Sequence, residues 1–359
     1  MASRTVLVTG GAGFIGSNFV RLVLRERPDW RVVVLDALTY AGNLENLEGL
    51  EASFGERYRF VRMDVTDGPG LETLFQEEPF DGVIHFAAES HVDRSILGPL
   101  AFVRTNVMGT GQLLERCRLT WKDRPGRFLL ISTDEVYGAL GEEGRFTEQT
   151  PLRPSSPYSA SKAAADQLAL AYQRTFGLSV VVTRCCNNYG PYQFPEKLIP
   201  LMVVRLLDGQ PLPVYGKGEN VRDWIHVDDH NRGALLAFEK GRPGEVYNLG
   251  ARCELRNIDL VRALIREVSA LKGWSEKDPD ARIAYVKDRP GHDWRYAIDP
   301  STAERELGFR PRVAFEEGLR DTVRWYLENE GWWRRILSGE YVEFVRRLYG
   351  GRGPTGGSE

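Results

Sequence analysis

The chain has 359 residues, 42% of them hydrophobic, and a formal net charge of −3. That length supports one large or two ordinary domains with a substantial core, and so balanced a charge argues against nucleic-acid binding by bulk electrostatics, leaving only local basic patches for it. No apolar run is long enough to span a bilayer, and the four cysteines and five histidines show none of the zinc or disulfide-framework spacings. With "MASRTVLVTG" running directly into a strand pattern, the expectation is a cytoplasmic protein with no metal, no membrane contact and no nucleic-acid partner.

The first strand pattern, "TVLVT" (residues 5–9), leads into "TGGAGFIGSNF". Gly10, Gly13 and Gly16 stand at Gly-x-x-Gly-x-x-Gly spacing, and Gly11, Gly13 and Gly16 fit Gly-x-Gly-x-x-Gly. Glycine suits a tight turn where backbone must touch a pyrophosphate, and the following helix offers free N–H groups and a positive dipole end. Such a turn alone caps many ordinary helices; lying between a strand and the amphipathic "SNFVRLVLRER" (residues 17–27), it reads as a dinucleotide site. The second strand, "RVVVLD" (residues 31–36), ends on Asp36, where a carboxylate can accept from an adenosine ribose and repel a 2′-phosphate. NAD is therefore expected over NADP.

Further strands follow at "YRFVRMD" (residues 58–64), "GVIHFAA" (82–88), "RFLLIS" (127–132) and "SVVVTRC" (179–185), with the helical "TGQLLERCRL" (110–119) among them. Near-continuous apolar strands alternating with helices predict an α/β fold: a Rossmann-type, doubly wound parallel sheet. The fifth strand runs into "STDEVYG", a hydroxyl followed by the adjacent carboxylates of Asp134 and Glu135. Acidic pairs in loops are ordinarily a solvated rim, so this one needs independent support to count as chemistry. "SPYSASKAAADQ" supplies it, placing Tyr158 and Lys162 on one face of a helix, where an ammonium can lower a phenol's pKa and make it a base. After Asn187 proline and glycine become denser, predicting a smaller, irregular α/β unit. The expected domains are 1–186 for NAD, with part of 228–250 returning to it, 187–345 for substrate, and a disordered tail at 350–359.

The glycine motif together with Tyr158-x-x-x-Lys162 resembles the extended short-chain dehydrogenase/reductase superfamily. The stretches "DALTYAGN", "FAAESHVDRSI", "STDEVYG", "NNYGPYQFPEKLIPL", "VRDWIHVDD" and "DRPGHDWRYAID" are similar, more narrowly, to the dTDP-glucose 4,6-dehydratase family, from about residue 4 to about residue 330. Superfamily members that act as 4-epimerases usually carry small residues in place of Asp134-Glu135, which makes "STDEVYG" the discriminating stretch.

The resemblance implies oxidation of dTDP-glucose at carbon 4, elimination of water across carbons 5 and 6, and reduction at carbon 6 with NAD recycled internally, in deoxysugar biosynthesis. Tyr158 with Lys162 would take the carbon-4 hydroxyl proton, Thr133 would hold the carbon-4 oxygen, Glu135 would remove the carbon-5 proton, and a protonated Asp134 would assist loss of the carbon-6 hydroxyl. This last division requires the chain to turn at Thr133–Glu135, because neighbours on a strand face opposite ways. By the same resemblance Gly10, Gly13, Phe14, Ile15, Gly16, Asp36, Asp64, Val65, Ala87, Ala88, Thr105 and Asn188 would line NAD with Tyr158 and Lys162. Ser90, Asn187, Lys197, Leu198, Pro213, Tyr215, Arg222, Asn257, Arg289 and His292 would hold the nucleotide sugar, and His91 is expected to be structural. Relatives form homodimers, so a homodimer is expected. Cys186 and Trp294 depart from the family pattern, where serine and arginine are expected. The alternatives are a 4-epimerase, a dehydratase of another nucleotide sugar, and a non-catalytic NAD sensor; the last fits poorly with all five catalytic residues present.

Overall fold

The computed structural model describes residues 4–275, 279–288 and 292–339. Six strands come first: β1 (Arg4–Thr9), β2 (Trp30–Asp36), β3 (Tyr58–Arg62), β4 (Gly82–His85), β5 (Arg127–Thr133) and β6 (Val180–Cys185). Six more follow: β7 (Asn187–Tyr189), β8 (Leu212–Tyr215), β9 (Val221–His226), β10 (Val246–Leu249), β11 (Glu254–Arg256) and β12 (Ile283–Val286).

Seven of them form one parallel sheet in the order β3-β2-β1-β4-β5-β6-β10. Its strands are apolar throughout because both faces are covered. On β1, Val6 and Val8 pack with Phe19 and Val23 of the Phe14–Glu26 helix, whereas Leu7 points the other way, towards Leu113 and Leu114. Strand order reverses at β1, with β2 on one side and β4 on the other. In open parallel sheets that reversal opens a crevice beyond the carboxyl ends of the strands.

The predicted strands agree with the observed ones to within a few residues, with two instructive exceptions. β3 stops at Arg62 and β4 at His85, short of Asp64 and of Ala87–Ala88, because the chain leaves the sheet there to form the crevice rim. After β6 it makes an excursion, then returns through the Val227–Lys240 helix, which packs beside Phe14–Glu26, and through β10, which pairs with β6.

The excursion and the later chain build a second layer. β11, β9 and β7 form a three-stranded sheet, and β12 pairs with β8. The Leu198–Leu207, Asn257–Lys272 and Phe315–Glu328 helices bury a separate core around Met202, Trp224, Leu264, Tyr326 and Trp333. Each such side chain contributes on the order of 1.5–3 kcal/mol by leaving water. This layer faces the carboxyl ends of β1, β4 and β5 across the crevice.

Candidate active site

The turn after β1 requires glycine at Gly10. Its φ is +70°, and a Cβ there would sit 2.5 Å from the Ala87 nitrogen beyond β4. The chain enters its first helix at Phe14, three residues earlier than the sequence pattern indicates, with Gly13 as an N-cap that supplies no side-chain cap. The first N–H groups of that helix are therefore left for an anion. Asp36, at the end of β2, accepts hydrogen bonds from the backbone N–H groups of Ala12 (2.9 Å) and Leu38 (2.8 Å). Burial nonetheless raises its carboxyl above the ordinary value. Asp36 thus organises the glycine turn as well as ending the strand, a second duty that sequence did not disclose.

β5 ends at Thr133, and a 3-10 turn, Asp134–Tyr137, begins at the next residue. The chain bends where two neighbouring carboxyls must reach one ligand. The Thr133 hydroxyl donates to Asp134 Oδ1 and accepts from the Glu135 N–H, both at 3.3 Å. Asp134 is 2% exposed, and its Oδ2 has no hydrogen-bond partner among the described residues. Burial, reinforced by the charges of Glu135 and Asp223, pushes the Asp134 carboxyl well above the carboxylate range. Glu135 next to it is only half-buried. Two adjacent carboxyls in such different surroundings can hold different protonation states at one pH.

The Pro157–Phe176 helix starts with Pro157 in its first turn and a reciprocal cap, Ser159 N–H to Ser156 Oγ at 3.1 Å and Ser156 N–H to Ser159 Oγ at 3.0 Å. The cap fixes Tyr158 and, one turn later, Lys162, both buried. The Lys162 ammonium donates to the Ile131 carbonyl oxygen of β5 at 2.6 Å. Here the sequence expectation needs correction. Lys162 does not bring the phenol down in this structure: burial, then the charge of Glu135, raises Tyr158 well above its ordinary value. Burial also lowers Lys162, against the opposing pull of Asp166.

These elements enclose a cavity of about 320 Å³. It is lined by Thr133, Asp134, Glu135, Tyr158 and Lys162, and by all the residues assigned above to NAD, from Gly10 to Asn188. Ser90, Asn187 and Lys197 of the substrate set also line it, and Lys197 Nζ donates to the Ser90 carbonyl at 3.0 Å. Leu198, Pro213, Tyr215, Arg222, Asn257 and His292 lie outside that lining, in the second layer. Arg222 is buried on β9 beside Asp134, its guanidinium 4.3 Å from the Tyr296 ring centre and donating to the Asp293 carbonyl at 2.9 Å. Tyr215 and His292 form an edge-on ring pair at 6.1 Å. Arg289 lies outside the described residues.

Sequence reasoning passed over Glu89 and Glu196, which also line the cavity and whose carboxyls burial raises. His91 stands 3.9 Å from Glu196. Of the two departures from the family pattern, Cys186 is buried in the cavity wall, whereas Trp294 is 44% exposed and meets β9 through its backbone, its carbonyl accepting from Val221 N–H at 2.9 Å.

The sequence pattern of the family described as GDP-mannose 4,6 dehydratase matches residues 7–322. The chain belongs to this 4,6-dehydratase family. It is 53% identical over 344 residues to the dTDP-glucose 4,6-dehydratase of Xanthomonas campestris pv. campestris (strain B100), covering 94% of this chain and 97% of that one. Among solved structures, the dTDP-glucose 4,6-dehydratase of Streptomyces venezuelae, crystallised with NAD bound, is 51% identical with a TM-score of 0.86, covering 92% of this chain and 99% of that one. That of Bacillus anthracis, in complex with NAD, is 47% identical with a TM-score of 0.83, covering 93% and 100%.

The family's NAD fits the site on this chain's own geometry. The uncapped helix N-terminus, the close-packed Gly10 turn, the Asp36 carboxyl, Tyr158 and Lys162 all line the one cavity. Among the described residues no group of three or more metal-ligating side chains gathers anywhere, and no helix is long and apolar enough to cross a membrane.

Proposed function

We propose that this chain converts dTDP-glucose to dTDP-4-keto-6-deoxyglucose and water, as a step in deoxysugar biosynthesis. One observation carries the reading: a buried Asp134, whose carboxyl burial and the charge of Glu135 push upward, and a half-buried Glu135 share a turn that opens into the same cavity as Tyr158 and Lys162. Epimerisation at carbon 4 needs the tyrosine–lysine pair but no second acid–base pair for elimination.

Bound in the cavity, NAD supplies the hydride acceptor for carbon 4, a positive ring that lowers the Tyr158 phenol, and the same hydride for carbon 6. Tyr158 takes the carbon-4 hydroxyl proton while Thr133 holds that oxygen. The resulting ketone acidifies carbon 5, and Glu135 takes its proton. Asp134, held neutral by burial, gives its proton to the carbon-6 hydroxyl as the carbon–oxygen bond breaks, so water leaves. Glu135 then returns its proton to carbon 5, and Asp134 regains one from Tyr158 or solvent.

Residues 1–186, with the returning 228–250 segment, form the NAD domain in this reading, and 187–345 the nucleotide-sugar domain. Ser90, Thr133, Asn187, Lys197, Leu198, Pro213, Tyr215, Arg222, Asn257, Arg289 and His292 hold the substrate. Arginine suits the diphosphate because its planar fork matches phosphate oxygens. The enzyme acts as a homodimer in the cytoplasm, a reading supported by the exposed apolar side chains of Leu97, Leu100 and Met108 and by four unpaired cysteines.

Incubation with dTDP-, UDP-, CDP- and GDP-glucose, followed by NMR of the products, tests the reading. The expected result is a 4-keto-6-deoxy product from dTDP-glucose. Formation of a galactose epimer, or preference for another base, overturns it.

A further inference from the structure

Behind the catalytic cavity lies a buried ion pair that the reaction above does not use. Arg184 on β6 is 2% exposed, and Asp166, on the Pro157–Phe176 helix, is 0% exposed. Arg184 Nε donates to Asp166 Oδ2 at 2.9 Å, and Arg184 Nη1 donates to the Tyr137 hydroxyl at 2.9 Å. The guanidinium also lies 4.8 Å from the centre of the Tyr137 ring. Tyr137 in turn donates to Asn248 Oδ1 on β10 at 2.8 Å.

Burying such a pair is costly, and an apolar pair of similar volume is often equally or more stable. Stability is therefore a weak reason for its presence. Its placement is a better one. Tyr137 is the last residue of the turn that carries Asp134 and Glu135. Asp166 stands four residues after Lys162, on the same helix face. One guanidinium thus grips both halves of the catalytic apparatus, using the two ends of a rigid planar fork.

We propose that Arg184 is a positioning residue: it sets the acid–base turn against the tyrosine–lysine helix, through Tyr137 on one side and Asp166 on the other. Asp166 passes the effect to Lys162 by charge. The titratable groups acting on Lys162 are Asp166 on its own helix, Cys185 on β6 and His85 on β4, and of these Asp166 is the carboxylate. Losing its charge leaves the buried ammonium easier to deprotonate, so Lys162 titrates at lower pH. Losing the Tyr137 hydroxyl frees the turn without touching Lys162.

The proposal rests on the dehydratase reading only for its kinetic arm. The test compares Asp166→Asn, Tyr137→Phe, Arg184→Met and Arg184→Lys in the full chain. In ¹⁵N-lysine NMR titrations, with the Lys162 signal assigned by its loss in Lys162→Arg, Asp166→Asn should become about tenfold more acidic at Lys162. Tyr137→Phe should leave that titration alone and slow solvent deuterium entry at carbon 5 about tenfold, with carbon-4 oxidation unchanged. Arg184→Met leaves Asp166 buried without its cation, so that carboxyl should take up a proton and lose its charge, and both defects should appear. Arg184→Lys keeps the charge but not the fork, so it should recover the Lys162 titration and not the carbon-5 exchange. Should Arg184→Met fail to fold, the two single-group variants decide the question alone. If the variants melt at lower temperature yet keep the parent's Lys162 titration and the parent's ratio of exchange to oxidation, the network is structural only and the proposal falls. If the parent itself does not turn over dTDP-glucose, the functional reading falls, and the Lys162 titrations still decide whether Asp166 and Arg184 act on that ammonium.

Discussion

Gly16 packs so closely on the turn before it that a Cβ at this position would lie 2.2 Å from the carbonyl oxygen of Gly10. Backbone cannot yield there as the end of a flexible side chain could. Gly16→Ala should therefore push the first helix away from the turn, at a cost of about 1–3 kcal/mol. The loss should be larger in NAD affinity than in global stability, because the displaced groups are the ones that meet the pyrophosphate. Calorimetric titration with NAD alongside urea unfolding checks this; an alanine variant that binds NAD normally contradicts the packing account.

Asp36 should discriminate between the two dinucleotides. Asp36→Ala removes a carboxylate that bonds Ala12 and Leu38 and that still has lone pairs free for a ribose. NAD binding is expected to weaken by about 1.5–3 kcal/mol, the range for hydrogen bonds to a charged group, while NADP binding changes less. The measurement is the ratio of the two affinities. An unchanged ratio places the ribose elsewhere.

Asp223 gives a pH signature. It is buried on β9, and burial raises its carboxyl to about 6 from an ordinary 3.8. A carboxyl that holds its proton more tightly when folded loses stability as pH rises. Below about pH 4 both states are protonated and nothing is lost, whereas between about 4 and 6 the unfolded chain ionises first and the folded state weakens relative to it. Asp223→Asn should remove this term, so its advantage over the parent should grow by about 2–3 kcal/mol from pH 4 to 7 and then level off. Urea midpoints across that range provide the test. An advantage independent of pH means that Asp223 ionises normally.

Leu97 and Leu100 are 88% and 79% exposed, on a stretch that also presents Met108. Contiguous apolar side chains of this size on a surface ordinarily mark an interface. If the proposed homodimer forms through this face, the parent should run as a dimer by light scattering and the Leu97→Glu, Leu100→Glu double variant as a monomer. A monomeric parent, or a variant that stays dimeric, removes this face from the interface.

Much of this was legible because local chemistry and global fold agree. Continuous apolar strands, the glycine turn with Asp36 after it, and the Pro157-led helix each carry their signal within a few residues, and the sheet follows from their alternation. What stayed hidden was set by distant parts of the chain. The raised phenol of Tyr158 depends on burial and on the charge of Glu135, a residue distant in sequence, not on the lysine one turn away. The grip of Arg184 on Tyr137 and Asp166 joins residues 47 and 18 positions apart, and no spacing in the sequence announces it. Glu89 and Glu196 look like ordinary surface acids until the fold brings them, from chain segments far apart, into the lining of one cavity.

The division of labour between Asp134 and Glu135 is the most exposed part of the reading, and it can be measured step by step. Glu135→Gln cannot accept the carbon-5 proton, so carbon 4 should still be oxidised while solvent deuterium fails to enter at carbon 5. Asp134→Asn keeps the base and removes the acid. In heavy water it should exchange the carbon-5 hydrogen faster than it releases the 4-keto-6-deoxy sugar, because the carbon-6 hydroxyl now leaves without a proton. A general acid or base typically supplies about 10²- to 10⁴-fold in rate, so each deficit should stand clear of any change in folding. The Asp134 variant should also flatten the alkaline limb of the pH–rate profile: the parent loses its acid when that buried carboxyl ionises, and an amide has no proton to lose there. Deuterium time courses by NMR and mass spectrometry distinguish the outcomes. If Glu135→Gln exchanges normally and Asp134→Asn does not, the base is Asp134, and its burial must then be relieved when substrate binds. If both turn over like the parent, elimination uses neither carboxyl, and the turn after β5 serves only to shape the cavity.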